Sequence, residues 1–243
     1  MSQTIGILGG MGPEATVCMY ESIIKNTRVK KDQDHIPVII LSNPKVPPRT
    51  EAIFNKAPDP TPILVKGAKT LEQAGADFII MPCITAHFFL SRITSQIHVP
   101  FISLLEESLQ WALNELTGVK KVGILSSTGT LKSQLFHKTF AREDIDIINP
   151  EEKEQVQVME AIFGPHGVKA GFTTGFPEKT AVRIANSLME RGAGAIIAGC
   201  TEIPLILKPQ SIPVPLIEPM SLAARAAIKK AGYPLREKIT LPK

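Results

Sequence analysis

The chain has 243 residues, 44% of them hydrophobic and 21% charged, with a formal net charge of +4. That balance suits a globular protein built as one large or two small domains, and the scattered Lys and Arg indicate neither a nucleic-acid nor a membrane partner. Three cysteines, Cys18, Cys83 and Cys200, are too few and odd in number for a secreted disulfide framework.

The N-terminus lacks the basic start and apolar length of a signal peptide. No apolar run reaches the roughly 18 residues of a membrane span, so a cytoplasmic location is expected. In chain order, an apolar strand is expected near 4–9 and an amphipathic helix at 13–28, joined by the turn Gly9-Gly10-Met11-Gly12-Pro13. Gly10-x-Gly12-x-x-Ala15 also fits a dinucleotide fingerprint. That reading fails because the next strand, 36–42, ends in Ser42-Asn43-Pro44, with no acid for a ribose hydroxyl. Prolines at 44–48 and 58–62 mark an extended loop. Further strands are expected near 77–82, 99–103, 121–126, 144–148, 195–199 and 213–217. Helices are expected over 61–74, 86–96, 104–117, 130–141, 152–163, 178–191 and 220–231. Runs such as Asp77–Met81 and Ala195–Ala198 are continuous rather than alternating, as in parallel strands covered on both faces. The fold class is therefore α/β.

The chain repeats itself. Gly75-Ala76-Asp77-Phe78-Ile79-Ile80-Met81-Pro82-Cys83 matches Gly192-Ala193-Gly194-Ala195-Ile196-Ile197-Ala198-Gly199-Cys200 at an offset of 117, and Gly6 and Gly123 share that offset. Two pseudo-symmetric lobes follow, each a roughly four-stranded parallel sheet flanked by helices, with an active site in the cleft between them. The strand after each cysteine is expected to cross between lobes. This places one lobe at 1–100 plus 208–243 and the other at 101–207.

Each half thus presents one thiol where a strand gives way to a helix. Ligands of open α/β sheets bind beyond the carboxyl ends of strands. Two thiols facing one pocket are what a two-base proton transfer at carbon requires: one takes the α-proton and the other returns a proton to the opposite face. A free cysteine is often only a small buried hydrophobe. Duplication at two strand ends with polar flanks favours the functional role for Cys83 and Cys200. Cys18, without a counterpart in the repeat, reads as structural. His87, four residues after Cys83, reads either as a partner of the thiol or of Glu202, or as a structural histidine.

Six segments carry a family resemblance. They are Ile5-Gly6-Ile7-Leu8-Gly9-Gly10-Met11-Gly12-Pro13, Pro47-Pro48-Arg49-Thr50, Met81-Pro82-Cys83 with Thr85-Ala86-His87, Ser127-Thr128-Gly129-Thr130, Gly167-Val168-Lys169-Ala170-Gly171, and Ala198-Gly199-Cys200-Thr201-Glu202-Ile203-Pro204. The chain resembles the aspartate branch of the aspartate/glutamate racemase family over essentially its full length. The resemblance implies Cys83 and Cys200 as proton donors and acceptors, and Arg49 and Lys169 as carboxylate ligands. Met11, Ile84, Thr85, Thr128, Thr201 and Glu202 complete the expected substrate contacts. Glu202 fits the aspartate branch, since glutamate racemases typically carry His there. The family usually places Asn where this chain has Ile84.

The expected activity is interconversion of L- and D-aspartate by a homodimer without metal, pyridoxal phosphate or other cofactor, on a small dicarboxylic amino acid. Alternatives are glutamate racemisation, a related-fold isomerase or decarboxylase, and a ligand-binding protein that has lost turnover.

Overall fold

A computed structural model of the chain describes residues 3–237 and contains two four-stranded parallel sheets of the same topology. The first, in the order β2-β1-β3-β4, holds β1 (Ile5–Gly9), β2 (Val38–Ser42), β3 (Phe78–Ile80) and β4 (Phe101–Ile102). The second, in the order β6-β5-β7-β8, holds β5 (Lys121–Leu125), β6 (Asp146–Ile148), β7 (Ile196–Ala198) and β8 (Leu216–Ile217). Parallel neighbours need long crossovers, which helices supply. In the first lobe these are α1 (Pro13–Asn26), α2 (Arg49–Ile53), α3 (Thr61–Gln73) and α4 (Leu90–Thr94). After β4, α5 (Leu104–Glu115) leads to the second sheet. That lobe uses α6 (Thr128–Ser133), α7 (Leu135–Phe140), α8 (Glu152–Phe163), α9 (Phe176–Glu190) and α10 (Ile203–Ile206), and α11 (Pro219–Lys230) follows β8.

Period-2 alternation gives each sheet two different apolar faces. Ile5, Ile7, Phe78 and Ile80 of the first sheet share one core with Val122, Ile124 and Ile197 of the second. Leu104, Leu109, Phe136, Phe140, Ala224 and Ile228 join that core from α5, α7 and α11. The opposite faces close separate outer cores, one around Leu8, Ile79 and Met81, the other around Leu125, Ile196 and Ala198. Removing each such large side chain from water is worth about 1.5–3 kcal/mol. The shared core therefore couples the lobes strongly.

The expectation that the strand after each cysteine crosses between lobes is corrected. β4 pairs with β3 (Ile79↔Phe101, Ile80↔Ile102) and β8 with β7 (Ile196↔Leu216, Ile197↔Ile217). The helices after them span the lobes instead: α5 packs on α11 and α7, and α11 packs on α1. Following the sheets, 101–102 belong to the first lobe and 216–217 to the second. The part of the expected 208–243 segment beyond 237 lies outside the described residues. The expected helix 86–96 is a 3-10 turn, Thr85–Phe89, followed by α4, and 130–141 breaks at Gln134, whose backbone is left-handed (φ 56°, ψ 28°).

The turn after β1 depends on glycine. Gly10 has φ 95°, and a Cβ there would lie 2.3 Å from the Asn43 backbone. Thr16 braces the turn, its hydroxyl accepting from Gly10 N–H (2.8 Å) and donating to the Gly12 carbonyl (3.1 Å).

Candidate active site

Cys83 and Cys200 follow β3 and β7, the equivalent strands of the two sheets, and line the same cavity of about 590 Å³. The first lobe adds Met11, Gly12, Arg49, Thr50, Ile84 and Thr85, and the second adds Ser127, Met159, Phe163, Lys169, Thr201 and Glu202. Thr128 is not among the lining residues. Its N–H donates to Met159 Sδ (3.2 Å) and its hydroxyl accepts from Gln155 Nε2 (3.2 Å). Ser127 lines the cavity instead, and its hydroxyl caps α6 through Thr130 N–H (3.4 Å). Sequence reasoning missed Ser127, although the repeat offset aligns it with Gly10 in the turn after β1. It also missed Met159 and Phe163, which share one face of α8 by their spacing of four.

Three charged or ionisable groups form a chain in the second lobe. The Cys200 thiol donates to Glu202 Oε2 (2.9 Å), the Thr201 hydroxyl donates to the same oxygen (3.0 Å), and Lys169 pairs with Glu202 Oε1. Burial pushes the Cys200 thiol well above its ordinary value, and the Glu202 charge and hydrogen bond add to the rise. Burial alone would raise the Glu202 carboxyl. Hydrogen bonds from Cys200 and Lys169, with the Lys169 charge, outweigh it and hold Glu202 below the usual carboxylate range. Lys169 answers in kind: burial would lower its ammonium, but Glu202 raises it. Near neutral pH the chain therefore reads ammonium, carboxylate, thiol.

Arg49 opens α2 after two prolines, Pro47 and Pro48. Its guanidinium donates to the carbonyls of Pro47 (3.1 Å), Val46 (3.3 Å) and Met11 (3.4 Å), which fixes it against the turn after β1. Its Nε–H is buried and has no hydrogen-bond partner among the described residues. An unsatisfied buried donor costs on the order of 1–3 kcal/mol. Ile84 is 4% exposed and packs into the shared core while also touching the cavity. Cys18 sits on the exposed side of α1, not in the core as a structural cysteine would.

A sequence profile of the Asp/Glu/hydantoin racemase family matches residues 8–227. The chain belongs to that family. It is 26% identical over 237 residues to a broad specificity amino-acid racemase of Bacillus subtilis, covering 92% of this chain and 96% of that one. Among solved structures, the Picrophilus torridus aspartate racemase superposes with a TM-score of 0.83 at 29% identity, covering 96% of both chains. An aspartate racemase homologue from Pyrococcus horikoshii gives 0.79 at 25% identity, covering 96% of this chain and all of that one.

Within this racemase-family fold the lobes touch beside the cavity. Thr85 Oγ1 and Thr130 Oγ1 share a hydrogen bond (3.0 Å) across the cleft. Gly129 of α6 admits Thr50 so closely that a Cβ would stand 2.2 Å from Thr50 Oγ1. Gly129→Ala is therefore expected to displace Thr50 and its neighbour Arg49, raising KM about tenfold and costing about 1–3 kcal/mol of stability. Steady-state kinetics with thermal melts check this, and an unchanged KM would refute it.

Among the described residues no group of three His, Cys, Asp or Glu is placed to hold a metal ion, and no helix is long and apolar enough to cross a membrane. His87 does not meet Glu202. It is 5% exposed, its Nδ1 lies 2.9 Å from the Cys83 carbonyl, and its Nε2 accepts from Leu104 N–H (3.2 Å). Burial pushes its imidazole down to about 4, against a partial rise from the Cys83 bond. The unfolded chain titrates near 6.5 and takes up a proton that the native chain refuses. The native state is fully supported above about 6.5 and loses up to about 3 kcal/mol as pH falls toward 4. Urea titrations at pH 7 and pH 4.5 measure this, and His87→Gln should flatten the acid-side loss.

Proposed function

We propose that this protein is a cofactor-independent racemase of acidic amino acids, aspartate foremost, with Cys83 and Cys200 as its acid–base pair. The observation that carries the reading is a single cavity lined by both cysteines, each supplied by the equivalent strand end of a different lobe. In one direction the Cys83 thiolate takes the α-proton and the Cys200 S–H gives its proton to the opposite face of the carbanion. The products are a Cys83 thiol and a Cys200 thiolate, and the reverse reaction restores the start. The hydrogen bond from Cys200 to Glu202 supports Cys200 as the resting acid. Arg49 and Lys169, one cation from each lobe, supply counter-charge for two carboxylates. The same reading makes the protein a cytoplasmic homodimer, which sedimentation of the purified chain would test.

The direct test is incubation with L- or D-aspartate in D₂O without added cofactor. Deuterium should enter the α-position while the optical rotation decays toward zero. Absence of exchange with every acidic or neutral amino acid would leave only a binding role.

A broader substrate range is the second reading. Met11, Val46, Ile84, Met159 and Phe163 give the cavity an apolar share, and Ile84 stands where the family usually has Asn. The Bacillus relative is itself a broad specificity enzyme. A screen of aspartate, glutamate and neutral amino acids separates the two, and Ile84→Asn should narrow the range toward aspartate.

A further inference from the structure

We infer that His87 is a positioning residue that sets the Cys83–Ile84 peptide for the work of the Cys83 sulfur, an inference that rests on Cys83 acting at the substrate's α-carbon. The imidazole is buried and is not among the residues that line the cavity. Its two ring nitrogens have distinct partners. Leu104 N–H can only donate, so Nε2 accepts (3.2 Å), and Nδ1 must carry the hydrogen that it donates to the Cys83 carbonyl (2.9 Å). One tautomer satisfies both bonds, and burial keeps the ring neutral in the working pH range.

The consequence follows from peptide planarity. The Cys83–Ile84 bond is trans, so its carbonyl and the Ile84 N–H point in opposite directions. With the carbonyl held on the buried side by His87, Ile84 N–H turns toward the side that Cys83, Ile84 and Thr85 line. There it is a fixed donor for an anionic sulfur or a substrate carboxylate. The preceding peptide is also tied, since Cys83 N–H donates to the Met81 carbonyl (2.8 Å). The other arm of His87 satisfies the first N–H of α5, a donor that helix geometry leaves without an internal partner. His87 thereby joins the cysteine turn to a helix of the inter-lobe layer.

The test separates the two arms. An Asn amide falls near the Nδ1 position and a Gln amide near the Nε2 position. His87→Gln keeps the α5 arm and loses the Cys83 arm. Its kcat and the rate of Cys83 carboxymethylation by iodoacetate, read by peptide mass spectrometry, should each fall about tenfold or more with KM within about threefold. His87→Asn should keep the alkylation rate within about threefold while melting at a lower temperature. Equal losses in the two variants, or no loss of alkylation in His87→Gln, would overturn the inference. Should the variants not fold, ¹⁵N shifts of the wild-type imidazole still decide: a hydrogen on Nε2 rather than Nδ1 overturns it. Alkylation follows this pattern whether or not the wild type racemises, so a failed racemisation assay would sink the proposed function and leave the role of His87 standing.

Discussion

Replacing Cys200 by serine is expected to lower racemisation of either enantiomer by about 10³-fold or more, and Cys83→Ser by a similar factor. The hydroxyl of serine can hydrogen-bond Glu202 as the thiol does, so geometry is largely kept. It cannot give or take a proton at carbon at a useful rate, because its ionised form is far too costly near neutral pH. Binding should survive: Arg49 and Lys169 are untouched, so the Kd for aspartate by calorimetry should stay within about threefold. The losses should not add. A two-thiol mechanism needs both partners in each direction, so the double variant should be little worse than either single one. A Cys83→Ser or Cys200→Ser enzyme that racemises within tenfold of wild type would remove the basis of the two-thiol mechanism.

Glu202→Gln should move the pH dependence of both directions. The Cys200 thiol is held high first by burial and then by the Glu202 charge and hydrogen bond. Neutralising that charge lets the thiol ionise at lower pH, while the amide oxygen can still accept its hydrogen bond. The limb of kcat/KM that Cys200 governs should move toward acid, and by the same amount for both enantiomers, because an equilibrium constant of one ties their kcat/KM values together. Lys169 also loses its internal partner, so a substrate carboxylate no longer competes with Glu202 for it, and KM should fall. Profiles of kcat/KM against pH for wild type and variant test this. Limbs that stay in place would show that Glu202 does not govern Cys200.

The repeat was the most informative part of the sequence. An offset of 117 between Cys83 and Cys200 implied paired strand ends, and the sheets place both cysteines after equivalent strands. The routing of the chain between lobes was not legible, because the segments after each cysteine look alike whichever sheet they join. Pairing of Ile80 with Ile102 and of Ile197 with Ile217 decides that, and pairing is a long-range property. Short elements were also hidden. α2 is five residues long and follows two prolines, so no helical period can develop in it. The resemblance implies Glu202 as a substrate contact, and the residue lines the cavity, but its bonds to Cys200 and to a lysine 33 positions earlier on a separate loop are not legible in the sequence. Thr128 and Ser127 are adjacent hydroxyl residues in one turn, and only backbone direction decides that Ser127 rather than Thr128 lines the cavity.

A catalyst that must receive left- and right-handed forms of one molecule is well served by being assembled from two copies of one part. Each copy places a cysteine at the shared cavity, so either hand meets comparable surroundings. The copies have since diverged where it counts: at the offset of the repeat, Glu202 corresponds to Thr85, a carboxylate against a hydroxyl. Cys200 has the Glu202 carboxylate at its side, whereas in the other copy Thr85 is tied to Thr130 of the opposite lobe. Equilibrium between the two hands is fixed by their equal energies and is untouched by this difference. The kcat and KM of each hand can differ so long as their ratio is shared, and the divergence of the two ends gives room for that difference.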